Sequence, residues 1–197
     1  MKIALVPMAA KPYHAGHDGL VRISANECDE VHLFVSTSAR ERPGEMPISG
    51  EAMKRIWNDF IEPSLPSNVM VTYGGSPVGN VYAELESGES QKSKDTYVIY
   101  SDDTDIMKYT DDKLSKIAPK MFKKGQIELR GISREETVPV SGTEMRAMLA
   151  AGDVKAFSRF LPPSIQGNAR EIIKILKSSI KESLLKQFIK STLNTQL

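Results

Sequence analysis

A chain of 197 residues is long enough to bury one substantial core and short for two. Its 26 basic residues stand against 25 acidic ones, which argues against a protein that coats nucleic acid and would carry a large basic excess. A single cysteine excludes an intramolecular disulfide framework, and no signal-peptide pattern or run of membrane-spanning length is present, so the expectation is a cytoplasmic protein that engages neither nucleic acid nor membrane.

The chain begins with a short apolar strand, Lys2 to Pro7. It is followed by Met8-Ala9-Ala10-Lys11-Pro12-Tyr13-His14-Ala15-Gly16-His17, and then by a helix from Asp18 to Asn26 carrying Leu20, Val21 and Ile23 on one side. Two imidazoles and an ammonium therefore sit in a strand-to-helix turn. In open α/β sheets that is where anions bind, because the helix start offers free N–H groups and about half a positive charge. Gly16 admits close backbone approach to a ligand. A zinc site is the competing use of the histidines, but only His32 and Cys28 remain as ligands and neither stands at a recognisable spacing, so no protein-bound metal is expected.

Glu30 to Ser36 reads as a second strand, with His32 packed inside it. Thr37 to Gly50 is a polar loop of a length that is usually functional. Its Arg40 and Arg42, with Lys54 and Arg55 of the helix from Ala52 to Ile61, are candidates for substrate phosphate, a solvated loop being the equal alternative. Trp57 and Phe60 are expected to pack that helix on the sheet. Asn68 to Tyr73 forms a third strand that ends in Gly74, Gly75 and Ser76, either a wall for the second substrate or a plain tight turn, ahead of a helix from Asn80 to Glu86. Ser87 to Lys94 then reads as a surface connection.

Asp95 to Tyr100 is a fourth strand, running into Ser101 and Asp102, which either cap the next helix or meet sugar hydroxyls or hydrated magnesium. Lys108 to Lys124 reads as a solvated helical face, and Gln126 to Ile132 as a fifth strand near an edge. Val140-Ser141-Gly142-Thr143 opens a helix with Met145, Met148 and Leu149 on one face and Gly152 as its stop. Capping accounts for Ser141 and Thr143 but leaves Arg146 over, one turn inside, where it reaches back to an anion held on the helix end. After a short helix from Asp153 to Phe160, prolines at 162 and 163 mark a joint. The tail from Asn168 to Leu193 is amphipathic, with Ile172, Ile173, Leu176, Ile180, Leu184, Leu185 and Phe188 as its stripe; it is expected to pack on the core or on a second subunit, making the protein a homo-oligomer. The pattern predicts a doubly wound α/β domain with a five-stranded parallel sheet over residues 1–163 and a C-terminal helical appendage over 164–197.

His14-Ala15-Gly16-His17 after a strand, with Val140-Ser141-Gly142-Thr143-Glu144-Met145-Arg146 far downstream, resembles the paired signatures of the HIGH-motif nucleotidyltransferase superfamily. The downstream form is most similar to archaeal-type nicotinamide mononucleotide adenylyltransferases. The resemblance implies a Rossmann-like, HUP-type sheet in the order 3-2-1-4-5 and transfer of an adenylyl group from ATP, with magnesium, to a phosphomonoester. Nicotinamide mononucleotide is the first choice of acceptor, giving NAD; phosphopantetheine and CTP-dependent cytidylyl transfer are alternatives, and a non-catalytic nucleotide sensor is the alternative from another class. On this reading His14 and His17 meet the triphosphate, Lys11 adds charge, and Arg146, Ser141, Gly142 and Thr143 cradle the β and γ phosphates. Met8, Ala9, Ala10, Gly16, Ser101 and Asp102 line the nucleotide, while Arg40, Arg55, Gly74, Gly75 and Ser76 face the acceptor. Met8, Ala9 and Ala10 replace the glycine, polar or basic residue and aromatic usual in this superfamily, and Lys11 replaces an acid or amide.

Overall fold

Five apolar runs become the strands of one parallel sheet in the computed structural model, which describes residues 1–178. They are β1 (Lys2–Met8), β2 (Glu30–Val35), β3 (Val69–Tyr73), β4 (Thr96–Asp102) and β5 (Ile127–Ile132), ordered β3-β2-β1-β4-β5, as the resemblance implied. The helices are α1 (Ala15–Glu27), α2 (Gly50–Ile56), α3 (Pro77–Gln91), α4 (Asp103–Ile106), α5 (Asp111–Ile117), α6 (Pro119–Lys123), α7 (Gly142–Ala151) and α8 (Val154–Arg159), with a further helix over residues 169–178.

The described residues form two compact units. One comprises Met1–Ala10, Ala15–Ser36 and Leu65–Val140; the other comprises Lys11–His14, Thr37–Ser64 and the chain from Ser141 onward. In the first unit, Ile3, Ala4, Leu5 and Val6 are all buried, so both faces of the central strand are covered, as parallel sheets require. Leu5 and Ile99 meet Val81 and Leu85 of α3 and Leu114 and Met121 of α5 and α6 in one apolar cluster. The chain winds outward from β1 to β3 and returns to β4, which makes the gap between β1 and β4 the topological switch point.

Three local readings change. α1 begins at Ala15, not Asp18, so Gly16 and His17 stand in its first turn, directly after His14. α3 runs from Pro77 to Gln91, so most of the expected surface connection after Ser87 is helix. Ser76 accepts from the Gly79 N–H and Pro77 needs no donor at the first helical position, which moves the start back. The helix continues past Glu86 because Gly88 seats it on Tyr97, where a Cβ would fall 2.9 Å from the hydroxyl. The lysine-rich stretch after Lys108 breaks into α5 and α6, and buries Leu114 and Met121 rather than standing wholly in solvent.

In the second unit, α2 widens into a π turn over Trp57–Ile61 and then tightens into a 3-10 turn over Glu62–Ser64. Trp57 is buried, and its ring meets Tyr13 edge-on at 4.8 Å. The helix over 169–178 buries Ile172, Ile173 and Leu176, as an amphipathic stripe should. The stripe positions Ile180, Leu184, Leu185 and Phe188 lie outside the described residues.

Candidate functional site

The second unit concentrates cations around the start of α7. Ser141 is extended and caps that helix: its hydroxyl accepts from the Glu144 N–H at 3.2 Å, and its own N–H donates to the Glu144 carboxylate at 2.7 Å. The capping reading of Ser141 thus holds, and Arg146 is what it leaves over. Arg146 is 4% exposed. Its Nη1 donates to the Lys11 carbonyl at 2.8 Å, and its Nη2 donates to the Thr143 hydroxyl at 2.8 Å while standing 2.8 Å from a Glu45 oxygen. Its Nε has no hydrogen-bond partner among the described residues. A buried planar fork with one donor unspent is a recognition element for multi-oxygen anions. Gly142 makes the approach feasible, since a Cβ there would meet Arg146 Nη1 at 3.1 Å and the Lys11 carbonyl oxygen at 3.4 Å.

Lys11 and His14 are both buried in the same turn of this unit, which contains a cis Lys11–Pro12 bond. Burial, with Arg40 beside it, pulls the Lys11 ammonium below its ordinary pKa. Burial also lowers Arg146; Glu45 opposes that shift, while Arg40 and Arg42 add to it. The loop from Thr37 to Ser49 is a small hairpin closed by an antiparallel bridge between Arg40 and Ile48. It is anchored at Gly50, where a Cβ would lie 1.8 Å from the Thr37 carbonyl oxygen. Of the acceptor candidates, Arg40 belongs with this cluster, whereas Arg55 pairs with Asp59 on an exposed face.

The sheet unit offers a cavity of about 450 Å³ at the switch point. The carboxyl ends of β1 and β4 supply Met8, Ala9 and Ser101, α3 supplies Tyr82, and the segment after α4 supplies Lys108, Tyr109 and, in α5, Lys113. The Tyr82 and Tyr109 rings are 5.7 Å apart, and burial raises both phenols. The buried Tyr109 hydroxyl has no hydrogen-bond partner among the described residues. The chain leaves β1 through Ala10 at φ 48, a left-handed conformation uncommon outside glycine.

Other predicted positions have local contacts in the fold. Asp102 caps α4, accepting from the Thr104 and Asp105 N–H groups at 2.9 and 2.7 Å. Gly74 and Gly75 have φ of 102 and 65, and their turn is closed by Asn80 donating to the Gly74 carbonyl. His32 lies in β2, 3.5 Å from Glu30 and 3.4 Å from Glu84. Glu45, Tyr82, Lys108, Tyr109 and Lys113 were not singled out as site residues from sequence. Only the closeness of Lys108 and Tyr109 to the β4 end signals a ligand role, since ligands gather at strand ends.

Among the described residues no three or more His, Cys, Asp or Glu side chains are grouped to hold a metal ion, and no helix is long and apolar enough to cross a membrane. No family model matches the chain, and no curated protein matches it. Among solved structures, Thermotoga maritima TmcAL bound with alpha-thio ATP is similar at 14% identity, with a TM-score of 0.49 over 92% of this chain and 56% of that one. This chain therefore spans little more than half the length of that protein.

Proposed function

We propose that the chain is a nucleotidyltransferase, moving an adenylyl group from ATP to a phosphomonoester and releasing pyrophosphate. The observation that carries this reading is Arg146, buried at the start of α7 with its Nε unspent and with Lys11, Arg40 and Arg42 around it. An acceptor phosphate is already anionic, so it needs alignment more than a strong base. One of its oxygens attacks the α-phosphorus, the bond to the bridging oxygen breaks, and pyrophosphate leaves with that electron pair. Fixed cations and N–H donors stabilise the charge that builds on the departing oxygens.

In this proposal Arg146, Thr143 and the α7 start hold the β and γ phosphates, Lys11 and His14 add positive charge, and the sequence motif assigns His17 to the α-phosphate. Magnesium enters with the triphosphate as part of the substrate, held by phosphate oxygens. The cavity lined by Tyr82, Tyr109, Lys108 and Lys113 has aromatic walls that suit a flat ring, and its Lys108 is paired with Asp105 of the same lining. That character and the Ser141-Gly142-Thr143-Glu144-Met145-Arg146 form put nicotinamide mononucleotide ahead of phosphopantetheine and of choline or glycerol phosphates.

The test is pyrophosphate release from the full chain with magnesium and ATP or CTP, across those four acceptors, with product masses measured. Turnover with ATP and nicotinamide mononucleotide is the expected result. ATP binding without turnover on any acceptor replaces the enzyme with a nucleotide sensor. His17→Ala should cut turnover at least about 100-fold, which is about 2.7 kcal/mol of transition-state stabilisation, and a folded variant with near-native rates removes His17 from the mechanism.

A further inference from the structure

Arg146 is not idle without a ligand. A Glu45 oxygen stands 2.8 Å from its Nη2, and the same oxygen lies 3.5 Å from Arg40. One carboxylate oxygen thus serves two guanidinium groups of the cluster. It does so incompletely: among the described residues Arg146 Nε has no hydrogen-bond partner, and Arg40 Nε stands 3.5 Å from that oxygen without a hydrogen bond. A phosphate presents more oxygens and more charge than a carboxylate and can meet Nε and Nη2 of one arginine together.

Glu45 stands beside the exposed tip of the hairpin. The Glu45 side chain is 23% exposed against 5% for Arg146, so the carboxylate has water at hand when it lets go. Residues 41–44 at the hairpin tip are exposed, Gly44 has φ 77, and nothing lies within 4 Å of where its Cβ would be. The hairpin is closed by the paired Arg40–Ile48 backbone bonds of 2.8 and 2.9 Å and a single turn bond from Glu45 N–H to the Arg42 carbonyl.

We infer that Glu45 is an internal stand-in for substrate phosphate: its carboxylate holds Arg146 and Arg40 until a polyphosphate displaces it, and it competes with the departing pyrophosphate for the same guanidinium groups. This rests on the reading of Arg146 as a phosphate-binding residue and makes Glu45 a positioning residue that acts through it. Affinity for triphosphate is then an exchange of one anion for another. Weak single anions fail to displace Glu45, and pyrophosphate is helped off by its return.

The experiment is calorimetric titration of the full chain with inorganic tripolyphosphate, for native protein, Glu45→Gln, Arg146→Met and the double variant, with thermal melts confirming folding. Where Arg146→Met does not fold, Arg146→Lys, which keeps the charge without the fork, takes its place. Expected is binding at least about five-fold tighter in Glu45→Gln, loss of that gain when Arg146 is also replaced, and slower pyrophosphate release from Glu45→Gln in stopped flow. Unchanged or weaker binding in Glu45→Gln, while Arg146→Met still abolishes binding, overturns the stand-in and leaves the cradle in place. A gain that persists without Arg146 is general electrostatics and also overturns it. Tripolyphosphate binding that ignores Arg146 altogether overturns both the stand-in and the phosphate cradle.

Discussion

Lys11 is a buried cation whose charge is disfavoured by its surroundings in the fold. Burial and Arg40 hold its pKa below the ordinary lysine value, so between the folded value and about 10.4 the unfolded chain binds more protons than the folded one. Stability from this residue therefore rises as pH climbs through that window, and the penalty is in full force at lower pH. Urea denaturation of native protein and Lys11→Met at pH 7 and pH 10 checks this: the variant is expected to be the more stable at pH 7, with the advantage shrinking at pH 10. A variant less stable at both pH values means the Lys11 stem, not its charge, is what the site packs. Lys11 was legible in the sequence as a departure from the resembled pattern; its burial was not, because no local pattern encodes what surrounds a turn.

The ends of α7 were legible, since a cap depends on residues a few positions apart. Ser141 with Glu144 forms the box that the sequence spells, and Ser141→Ala should cost about 1 kcal/mol in denaturation free energy. Helix length was less legible. Ser87 to Gln91 looks like a connection by composition, yet α3 continues because Gly88 lies against the buried Tyr97 ring. Alanine gains about 1 kcal/mol over glycine within a helix, whereas forcing a Cβ to 2.9 Å from the Tyr97 hydroxyl invites an overpacking cost of about 1–3 kcal/mol. Gly88→Ala is therefore expected to melt below the native protein. A higher melting temperature would show that Tyr97 shifts at little cost and that the glycine has another reason.

For the molecule as a whole, a ligand that binds the folded chain alone adds stability by mass action. Magnesium ATP at 100 times its dissociation constant should contribute about 2.7 kcal/mol, which for a chain of this length corresponds to a rise of roughly 5–10 °C in melting temperature. A differential scanning fluorimetry series in ATP measures it, and a flat series at concentrations that saturate a binding assay contradicts binding to the folded state. The sequence by itself determined the strands, the α7 cap and the two motifs, because periodicity, caps and turn residues act over a few neighbours; the resemblance supplied the strand order that the sheet adopts. The tertiary structure decided which side chains meet. Arg146 reaches the carbonyl of Lys11 across 135 positions of chain, Glu45 occupies that same guanidinium, and Tyr82 and Tyr109 wall one cavity. Those meetings depend on how separate elements pack within each unit, which no short run of sequence encodes.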